Sequence, residues 1–308
     1  PGRAQLNTLV TLLDRLGKSK YIRTSVQKDI HNGMIGAVMP RLFQNDSDSD
    51  MRKSMRMYNM KQIKQQFMVL AGRRVGKTIA TAMFTAAYLL SVPSCNICVF
   101  STGRRASNLF LQEVKSLLSE DPVFASLIST DNSEHLCLDV NGDKRKISSF
   151  PGNARTLRGV GGDLLILEEA AHIKSDVFYE VIVPLMGLKT TSVLAISTPG
   201  TSDNWYSSLL EKVDSRGDLI FSCYTAQSTC ISCKLNGSDN ACKHTAAEIA
   251  PWKSKAKHDV TQAMYSDNKA LAMRELSGVV ADDVNCAYNR LLVSNLFTKP
   301  RFTLPETI

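Results

Sequence analysis

The chain has 308 residues, of which 44% are hydrophobic and 21% charged, with 37 Lys and Arg against 29 Asp and Glu. This composition excludes a disordered chain and a membrane-embedded one, and it indicates a soluble globular protein with one large domain and smaller attachments. The formal charge of +8 favours a polyanionic partner such as DNA, the alternative being surface charge that only maintains solubility.

Cysteine usage, the chain start and hydropathy all bear on location. The eight cysteines are clustered, unlike the framework of a small secreted domain, and predict a reducing compartment. The chain opens at Pro1 with neither an initiator Met nor a signal-peptide pattern, so we expect a fragment that is not secreted. Its most apolar stretch, residues 79–92, is shorter than the ~20 residues of a membrane span, so no membrane partner is expected.

Residues 1–60 are predicted to be mainly helical. Leucines recur at helical spacing over residues 6–16 and are followed by Gly17, a residue suited to a helix carboxyl cap. Further helix is expected to about residue 43, ahead of a polar acidic loop at residues 45–50, where we place a boundary.

From residue 64 onward, short apolar runs alternate with amphipathic segments, a pattern typical of βαβ units and a mostly parallel sheet. Helices are predicted around residues 110–118 and 177–185. A hairpin turn is predicted at 141–143, between strands 136–140 and 144–149. The runs predicted as the other strands are residues 67–70, 97–100, 164–167, 193–196 and 219–221. The expected fold class is therefore α/β.

The octapeptide AGRRVGKT, residues 71–78, follows the first apolar run and precedes a long helical stretch, the context of a Walker A phosphate-binding loop. Its backbone N–H groups are predicted to cradle phosphate oxygens at a helix amino terminus. Lys77 is predicted to reach the β- and γ-phosphates and Thr78 to bind Mg²⁺, so ATP and Mg²⁺ are the expected cofactors. The predicted ATP contacts in the loop are Ala71, Gly72, Arg73, Arg74, Val75, Gly76, Lys77 and Thr78.

The loop has an unusual first residue and two internal arginines. Ala71 stands where a glycine is usual, which narrows the backbone conformations allowed there. Arg73 and Arg74 lie inside the loop, and we predict Arg73 as a γ-phosphate contact that assists catalysis. The alternative is that both arginines are solvated charges.

Residues 164–169, LLILEE, read as an apolar strand that ends in two carboxylates, the arrangement of a Walker B motif. Glu168 is predicted to hold Mg²⁺, and Glu169 to orient and deprotonate the attacking water. Asp is usual at the metal position of a Walker B motif. Glu168 differs from it by one methylene group, so its carboxylate lies farther from the backbone. The alternative is a strand end that exposes two solvated acids.

Two further segments near these motifs are assigned roles. The strand at residues 193–196 is followed by Ser197 and Thr198, where a γ-phosphate sensor or coupling motif is expected, although the same residues suit an ordinary turn. Arg158, which lies shortly before the acidic strand, is the candidate arginine finger, acting in its own subunit or on a neighbour. A plain surface charge is the alternative for Arg158.

A polar loop near residue 240 carries zinc-type ligands, and we predict a zinc knuckle there that binds Zn²⁺, with free thiols or a disulfide as alternatives. Cys223 could replace one ligand, whereas Cys95 and Cys98 are predicted to be buried thiols. The predicted zinc ligands are Cys230, Cys233, Cys242 and His244.

Two basic clusters are predicted to contact the phosphate backbone of DNA without reading its base sequence. They consist of Arg104, Arg105, Lys253 and Lys255, with ordinary solvated charge as the alternative. We divide the chain into a helical region at 1–60, a P-loop ATPase core at 61–225, and a cysteine-containing loop with a helical lid or linker at 226–308.

Taken together, AGRRVGKT, LRGVGGDLLILEEAAHI and AISTPG resemble motifs of the large terminase subunit of tailed bacteriophages and herpesviruses, across residues 65–233. The resemblance implies a RecA-like P-loop NTPase core in an ATP-driven motor that translocates double-stranded DNA into a preformed capsid. It also implies a homo-oligomeric ring on the capsid, with the portal protein and the small terminase subunit as partners. Gln65, or less favourably Gln66, would correspond to an adenine-contacting glutamine.

The same resemblance implies an intracellular location in the infected host, in the nucleus for a herpesvirus-like protein and in the cytoplasm for a phage. It further implies an RNase H-like nuclease domain. No strand after residue 277 carries an Asp in the manner of that domain, so we expect no cleavage chemistry here and a chain that ends at the interdomain linker. The alternatives to a packaging motor are a helicase-like nucleic-acid translocase and a degenerate ATPase that serves as a DNA-binding or assembly module.

Overall fold

The computed structural model describes residues 1–18, 21–58, 60, 63–151, 161–226 and 252–282. The strands in this part of the chain are β1 (Gln66–Ala71), β2 (Asn96–Ser101), β3 (Ile128–Asp131), β4 (His135–Val140), β5 (Asp143–Pro151), β6 (Leu164–Glu168), β7 (Ser192–Ser197) and β8 (Ser222–Ala226). The α-helices are α1 (Gly2–Leu16), α2 (Ser25–Leu42), α3 (Asp48–Met57), α4 (Lys77–Ser91), α5 (Arg104–Ser119), α6 (Pro122–Ala125), α7 (Ser175–Val177), α8 (Val183–Leu185), α9 (Trp205–Ser208), α10 (Lys255–Met264) and α11 (Lys269–Ala272). A 3₁₀ turn covers Ala170–His172, and π-helical turns cover Phe178–Ile182 and Met273–Ser277.

These strands belong to one mixed sheet, in the order β3-β4-β5-β2-β6-β7-β1-β8. From β5 to β8 in that order, neighbouring strands run parallel, whereas the β3-β4-β5 edge is antiparallel. The predicted α/β class is confirmed. The predicted hairpin is confirmed as well, because Asn141 and Gly142 join β4 to β5 with φ values of 57° and 84°, the left-handed conformation of a tight hairpin turn.

Hydrophobic residues cover both faces of the sheet because successive side chains of a strand point to opposite faces. In β1, Phe67 and Val69 pack in one cluster with helices α1, α2, α4 and α5. Met68 and Leu70 pack in a second cluster on the other face, with Trp205 and its neighbours. The helices of residues 1–60 therefore share their hydrophobic core with the sheet, and the predicted boundary near residue 60 does not separate two cores.

The first helix ends where the periodicity predicts, but Gly17 acts in an unexpected way. α1 buries its leucines and is followed by Gly17, whose φ of −76° is open to any residue. A β-carbon at Gly17 would lie 2.4 Å from the Nε of Arg23. Gly17 is therefore not a left-handed cap, and the Arg23 side chain packs directly against it.

The second and third helices are both fixed by their amino-terminal caps. α2 begins at a capping box formed by Thr24 and Gln27 and reaches residue 42, as predicted. The expectation of a loop at residues 45–50 was wrong in part, because Asp48 opens α3 after the Ser47 cap. Acidic side chains are unfavourable in a core but favourable in the first turn of a helix, where they meet the positive end of its dipole.

The last strand lies later than the apolar run that predicted it. Leu219 forms an isolated antiparallel bridge with Val213, and Ser222–Ala226 pairs with β1 as β8. The prediction of residues 219–221 was wrong because β8 is an edge strand, in which polar residues such as Ser222 are tolerated.

Helix α4 follows the Walker A loop and is buried along almost its whole length. It lies between the sheet and helices α1 and α5, which explains why residues 79–92 are apolar on all sides. No helix in the described part of the chain combines the length and apolar character that a membrane crossing requires.

Candidate functional site

Three of the predicted motifs meet at one edge of the sheet. Because β1, β6 and β7 are parallel neighbours, their carboxyl ends lie side by side. The register pairs Leu70 with Ser197 and Glu168 with Ile196, so the loop after β1, the acids after β6 and the hydroxyls after β7 are adjacent.

The Walker A loop adopts a strained backbone. Gly76 has a φ of 89° immediately before α4, a conformation that glycine takes without steric cost. Arg74 has a φ of 61°, which is uncommon for a residue with a side chain. Its carbonyl accepts a hydrogen bond from Trp252 Nε1 at 3.1 Å.

Lys77 is buried beneath the loop. Its Nζ donates hydrogen bonds of 2.9 Å to the carbonyl oxygens of Ala71 and Gly72. Burial lowers the pKa of Lys77, and the nearby carboxylates of Glu169 and Glu168 oppose that shift. The ammonium therefore lies between the loop and the acids of β6.

Glu168 and Thr78 connect the acidic strand to the first turn of α4. The Thr78 hydroxyl donates to Glu168 Oε1, while Oε2 is buried with no hydrogen-bond partner. Burial raises the pKa of Glu168 to about 7; the Thr78 hydrogen bond opposes this shift and the charge of Glu169 adds to it. An unpartnered buried carboxylate oxygen beside a hydroxyl fits a hard divalent cation such as Mg²⁺.

Such a cation needs further ligands besides Thr78 and Glu168. In the described ranges there is no group of three or more His, Cys, Asp and Glu residues placed to hold a metal. Mg²⁺ bound with a nucleotide takes most of its ligands from phosphate oxygens and water, so one hydroxyl and one carboxylate suffice.

The raised pKa of Glu168 predicts how stability depends on pH in the metal-free protein. A carboxyl that folds with a pKa near 7, against its ordinary 4.5, lowers stability progressively as pH rises from 4.5 to 7. We expect Glu168→Gln to raise the free energy of unfolding by about 3 kcal/mol at pH 8 and to leave it unchanged near pH 4.5. Urea unfolding at both pH values measures this, with Glu180→Gln as an exposed control. Equal gains at both pH values would contradict the assigned pKa.

Glu169 occupies a left-handed conformation with a φ of 53°, where the chain leaves β6 for the 3₁₀ turn. Ser197 Oγ donates to its Oε2 at 3.5 Å. Strained residues of this kind cluster at functional sites, where surrounding structure maintains them. Ser197 and Thr198 are both buried, so the predicted coupling residues lie under the acids and not on the surface.

Gln65, which is predicted to contact adenine, lies at the end of β1 opposite the Walker A loop. Its Nε2 donates to the carbonyl oxygens of Lys189 and Thr191, ahead of β7. The intervening strand β1 spans about 20 Å at ~3.3 Å per residue, so Gln65 and the loop are far apart. Gln66, the alternative, opens the same strand and is equally distant.

Gln27 was missed by the sequence reasoning. It is buried at the start of α2, and its Nε2 donates to the Gly76 carbonyl at 3.1 Å. The Thr24-x-x-Gln27 pattern is a capping-box signal that would have identified the helix start. Nothing in that pattern indicates contact with a loop almost fifty residues away.

A segment that we call the strap, residues 273–282, crosses the Walker A loop. The Arg73 amide donates to the Glu275 carbonyl at 2.7 Å, and the Arg73 guanidinium forms an ion pair with the Glu275 carboxylate. Asp282 accepts hydrogen bonds of 2.7 Å from the backbone and hydroxyl of Ser202, in the segment after β7. The strap therefore links the loop after β1 to the loop after β7, and the predicted phosphate contact Arg73 is engaged with Glu275.

Gly72 has no side chain because the strap passes against it. A β-carbon there would lie 2.3 Å from the Leu276 carbonyl oxygen, which is a backbone atom that cannot move alone. We expect Gly72→Ala to displace the strap, destabilising its docking by about 1–3 kcal/mol. Hydrogen exchange of the Arg73 and Val279 amides measures this, with Gly103→Ala in open space as the control. Unchanged protection of both amides would contradict the close packing.

The predicted DNA contacts occupy two places. Arg104 and Arg105 open α5 beyond the carboxyl end of β2, where Arg104 pairs with the exposed Glu134 at 2.9 Å. Lys253 is half-buried, and burial followed by the charge of Arg74 lowers its pKa, so it lies beside the Walker A loop. Lys255 opens α10.

The remaining predictions lie outside the described residues. They concern the candidate arginine finger and the candidate zinc ligands, namely Arg158, Cys230, Cys233, Cys242 and His244. The prediction for Cys95 and Cys98 is confirmed, since both are buried free thiols, and burial raises the pKa of each to about 12.

The parallel sheet and the loop on its first strand place this protein among RecA-like P-loop nucleotide-binding folds. A family model described as terminase large subunit, T4likevirus-type, N-terminal, matches residues 68–292, which is most of the chain. The chain therefore belongs to that family. Among curated protein sequences, none matches it.

Solved structures resemble the chain at low sequence identity and establish the fold. The HK97 bacteriophage large terminase aligns with a TM-score of 0.64 at 14% identity, covering 90% of this chain and 55% of that one. The large terminase of a thermophilic bacteriophage in complex with ADP has a TM-score of 0.53 at 14% identity, covering 84% and 54%. The Thermus phage P74-26 large terminase ATPase domain has a TM-score of 0.51 at 16% identity, covering 73% and 93%. The chain thus spans about half the length of the full large terminases that it matches.

Proposed function

We propose that this chain binds ATP with Mg²⁺ and hydrolyses it, as the motor that moves double-stranded DNA into a preformed capsid. The main support for ATP hydrolysis is the direct contact between the Walker A helix and the acidic strand, which Thr78 and Glu168 make. Membership of the terminase large subunit family supports the packaging role. A large terminase bound to ADP shares this fold, which supports the nucleotide as ligand.

Nucleotide binding begins with an exchange of hydrogen-bond partners at Lys77. Its ammonium donates to two loop carbonyls, and a phosphate oxygen is a stronger acceptor because the hydrogen bond is charge-assisted at both ends. We infer that Lys77 turns to the β- and γ-phosphates when ATP binds. The amino terminus of α4 adds its positive dipole to the same position.

The metal ligands proposed here are Thr78 and Glu168. When bound, Mg²⁺ supplies charge neutralisation to the β- and γ-phosphates. The Thr78 hydroxyl and the Glu168 carboxylate already lie in hydrogen-bond contact, so little side-chain rearrangement is needed to place both oxygens around one cation.

Glu169 is the proposed general base. Its carboxylate accepts the proton of the attacking water as the oxygen–phosphorus bond forms, and the γ-phosphoryl leaves the bridging oxygen. The hydrogen bond from Ser197 orients this carboxylate from the end of β7. Thr198 directly follows Ser197 in the chain. Loss of the γ-phosphate would therefore alter the position of the segment after β7, which also binds the strap through Ser202.

The DNA-facing and assembly roles extend this proposal. Arg104 and Arg105 provide exposed positive charge suited to phosphate backbones. Arg158 is proposed as the arginine finger, and a homo-oligomeric ring with the portal protein and small terminase subunit as the assembly, acting inside the infected host. Zn²⁺ binding is proposed for Cys230, Cys233, Cys242 and His244 on sequence grounds.

DNA-dependent ATP turnover of the purified chain tests the proposal. We expect phosphate release that requires Mg²⁺ and rises with double-stranded DNA, without separation of its strands. Strand separation would instead favour a helicase-like translocase. Nucleotide binding without hydrolysis would favour a degenerate ATPase that serves in DNA binding or assembly.

A further inference from the structure

An indole ring lies at the edge of the Walker A loop and has no role in the mechanism above. Trp252 is half-exposed, although large aromatic side chains are usually covered. Its Nε1 donates to the Arg74 carbonyl at 3.1 Å. A β-carbon at Gly76 would lie 3.1 Å from Trp252 Cζ2 and 3.2 Å from Cη2, so one edge of the ring packs directly on the loop.

The position of Trp252 relative to Glu168 and Glu169 determines which part of a bound nucleotide it can contact. In the sheet order β6-β7-β1-β8, the acids of β6 and Ser197 of β7 lie on one side of β1, and β8 lies on the other. The Tyr224 hydroxyl of β8 lies 3.5 Å from Asp29, which places the start of α2 beside β8. Gln27, on the same helix turn, contacts Gly76 together with Trp252. Trp252 therefore belongs to the side of the loop that faces away from the catalytic acids.

This arrangement indicates the orientation in which a nucleotide would bind. Its γ-phosphate must face Glu169 for the attack of water, and the phosphate chain then runs along the loop towards the start of α4. The nucleoside leaves the loop on the far side, where β8, α2 and Trp252 meet. A half-exposed indole is fixed there by its hydrogen bond to Arg74, and a fixed aromatic surface stacks on a base with little loss of conformational freedom.

We propose that Trp252 contacts the nucleobase of ATP and makes the site selective for nucleotides over inorganic phosphates. This assignment rests on the proposed ATP binding and adds the residue that recognises the base. Stacking on an aromatic side chain tolerates different bases, so Trp252 favours nucleotides as a class and purines most, because they offer the largest stacking surface.

Paired binding measurements with ATP and inorganic tripolyphosphate test the proposal, because only ATP carries a base. Trp252→Ala is expected to weaken ATP binding by about ten- to a hundredfold and to change tripolyphosphate binding by less than about twofold. Trp252→Phe is expected to retain most of the ATP affinity, since it keeps an aromatic face. An equal loss for both ligands would overturn the proposal and make Trp252 only a structural support of the loop.

Intrinsic fluorescence gives an independent readout. The chain has two tryptophans. Trp205 is buried, and its Nε1 donates to the Ile173 carbonyl. A nucleobase bound at the site should therefore change the emission of Trp252 and not that of Trp205. ATP is expected to quench the emission of the wild-type chain, tripolyphosphate is not, and Trp252→Phe should abolish the ATP effect. Quenching by both ligands would overturn the proposal, because it would report movement of the loop.

The failure of this proposal can be told apart from failure of ATP binding itself. A wild-type chain that binds both ligands, with Trp252→Ala unchanged towards ATP, overturns the base contact alone. A wild-type chain that binds neither ligand overturns the proposed function, and the base contact falls with it. Urea unfolding of each variant confirms that the fold is intact in the samples compared.

Discussion

Replacing Glu169 with Gln should lower the rate of ATP hydrolysis by about 10²–10⁴-fold while ATP affinity stays within about twofold of the wild type. Glutamine has the same shape and keeps an oxygen that can accept the hydrogen bond from Ser197. Its amide has no basic site for the proton of the attacking water. Steady-state phosphate release at saturating ATP, combined with equilibrium binding, measures the two effects separately.

The control for Glu169→Gln is Glu180→Gln, which removes one exposed acid from the π-helical turn that follows. This control should hydrolyse ATP at the wild-type rate. If Glu169→Gln retained more than about a tenth of the wild-type rate, another group would have to accept the proton. A parallel loss of ATP affinity would place Glu169 in binding and not in catalysis.

Replacing Lys77 with Ala should weaken ATP binding by about a hundredfold and reduce turnover even at saturating ATP. Hydrogen bonds to charged groups contribute roughly 1.5–3 kcal/mol each, and the Lys77 ammonium is buried, where water replaces it poorly. The helix should persist, since Ala has the highest helix propensity. Equilibrium binding of ATP and of tripolyphosphate measures the loss, which should be similar for both ligands.

Lys144→Ala is the matched control for Lys77→Ala, because it removes an exposed lysine from β5, several strands away from the loop. Its affinity for ATP should equal that of the wild type. Wild-type affinity in Lys77→Ala would mean that the loop does not bind phosphate. The pair Lys77→Ala and Glu169→Gln therefore separates binding from chemistry, since only the first should lose the ligand.

The Walker A loop and the acidic strand end could be predicted from the sequence because each is local. A phosphate cradle needs consecutive backbone groups between a strand and a helix, so its residues are contiguous and the flanking patterns are readable. The parallel order of β1, β6 and β7 then brings Thr78 and Glu168 into contact, as expected from strand ends that share an edge.

Gln65 shows how the fold separates residues that are close in sequence. It lies close to the loop in sequence, yet an extended strand separates the two by about 20 Å. Its amide bonds to the backbone ahead of β7 at the far edge of the sheet. Closeness in sequence indicates closeness in space only when the chain turns between the two residues.

The sequence alone determined the α/β class, the strand–loop–helix unit around residues 71–78, the acidic strand end and the hairpin, because each depends on the spacing of residues within one segment. The tertiary structure alone decided that Trp252 and Glu275 contact the Walker A loop, across separations of 178 residues for Trp252 and Arg74, and more for Glu275. Such contacts come from the packing of distant segments, which leaves no periodic pattern in either of them. Gly72 is an example: its place in the motif suggests a phosphate-binding glycine, whereas its contact with the strap comes from a distant segment and leaves no pattern in the sequence.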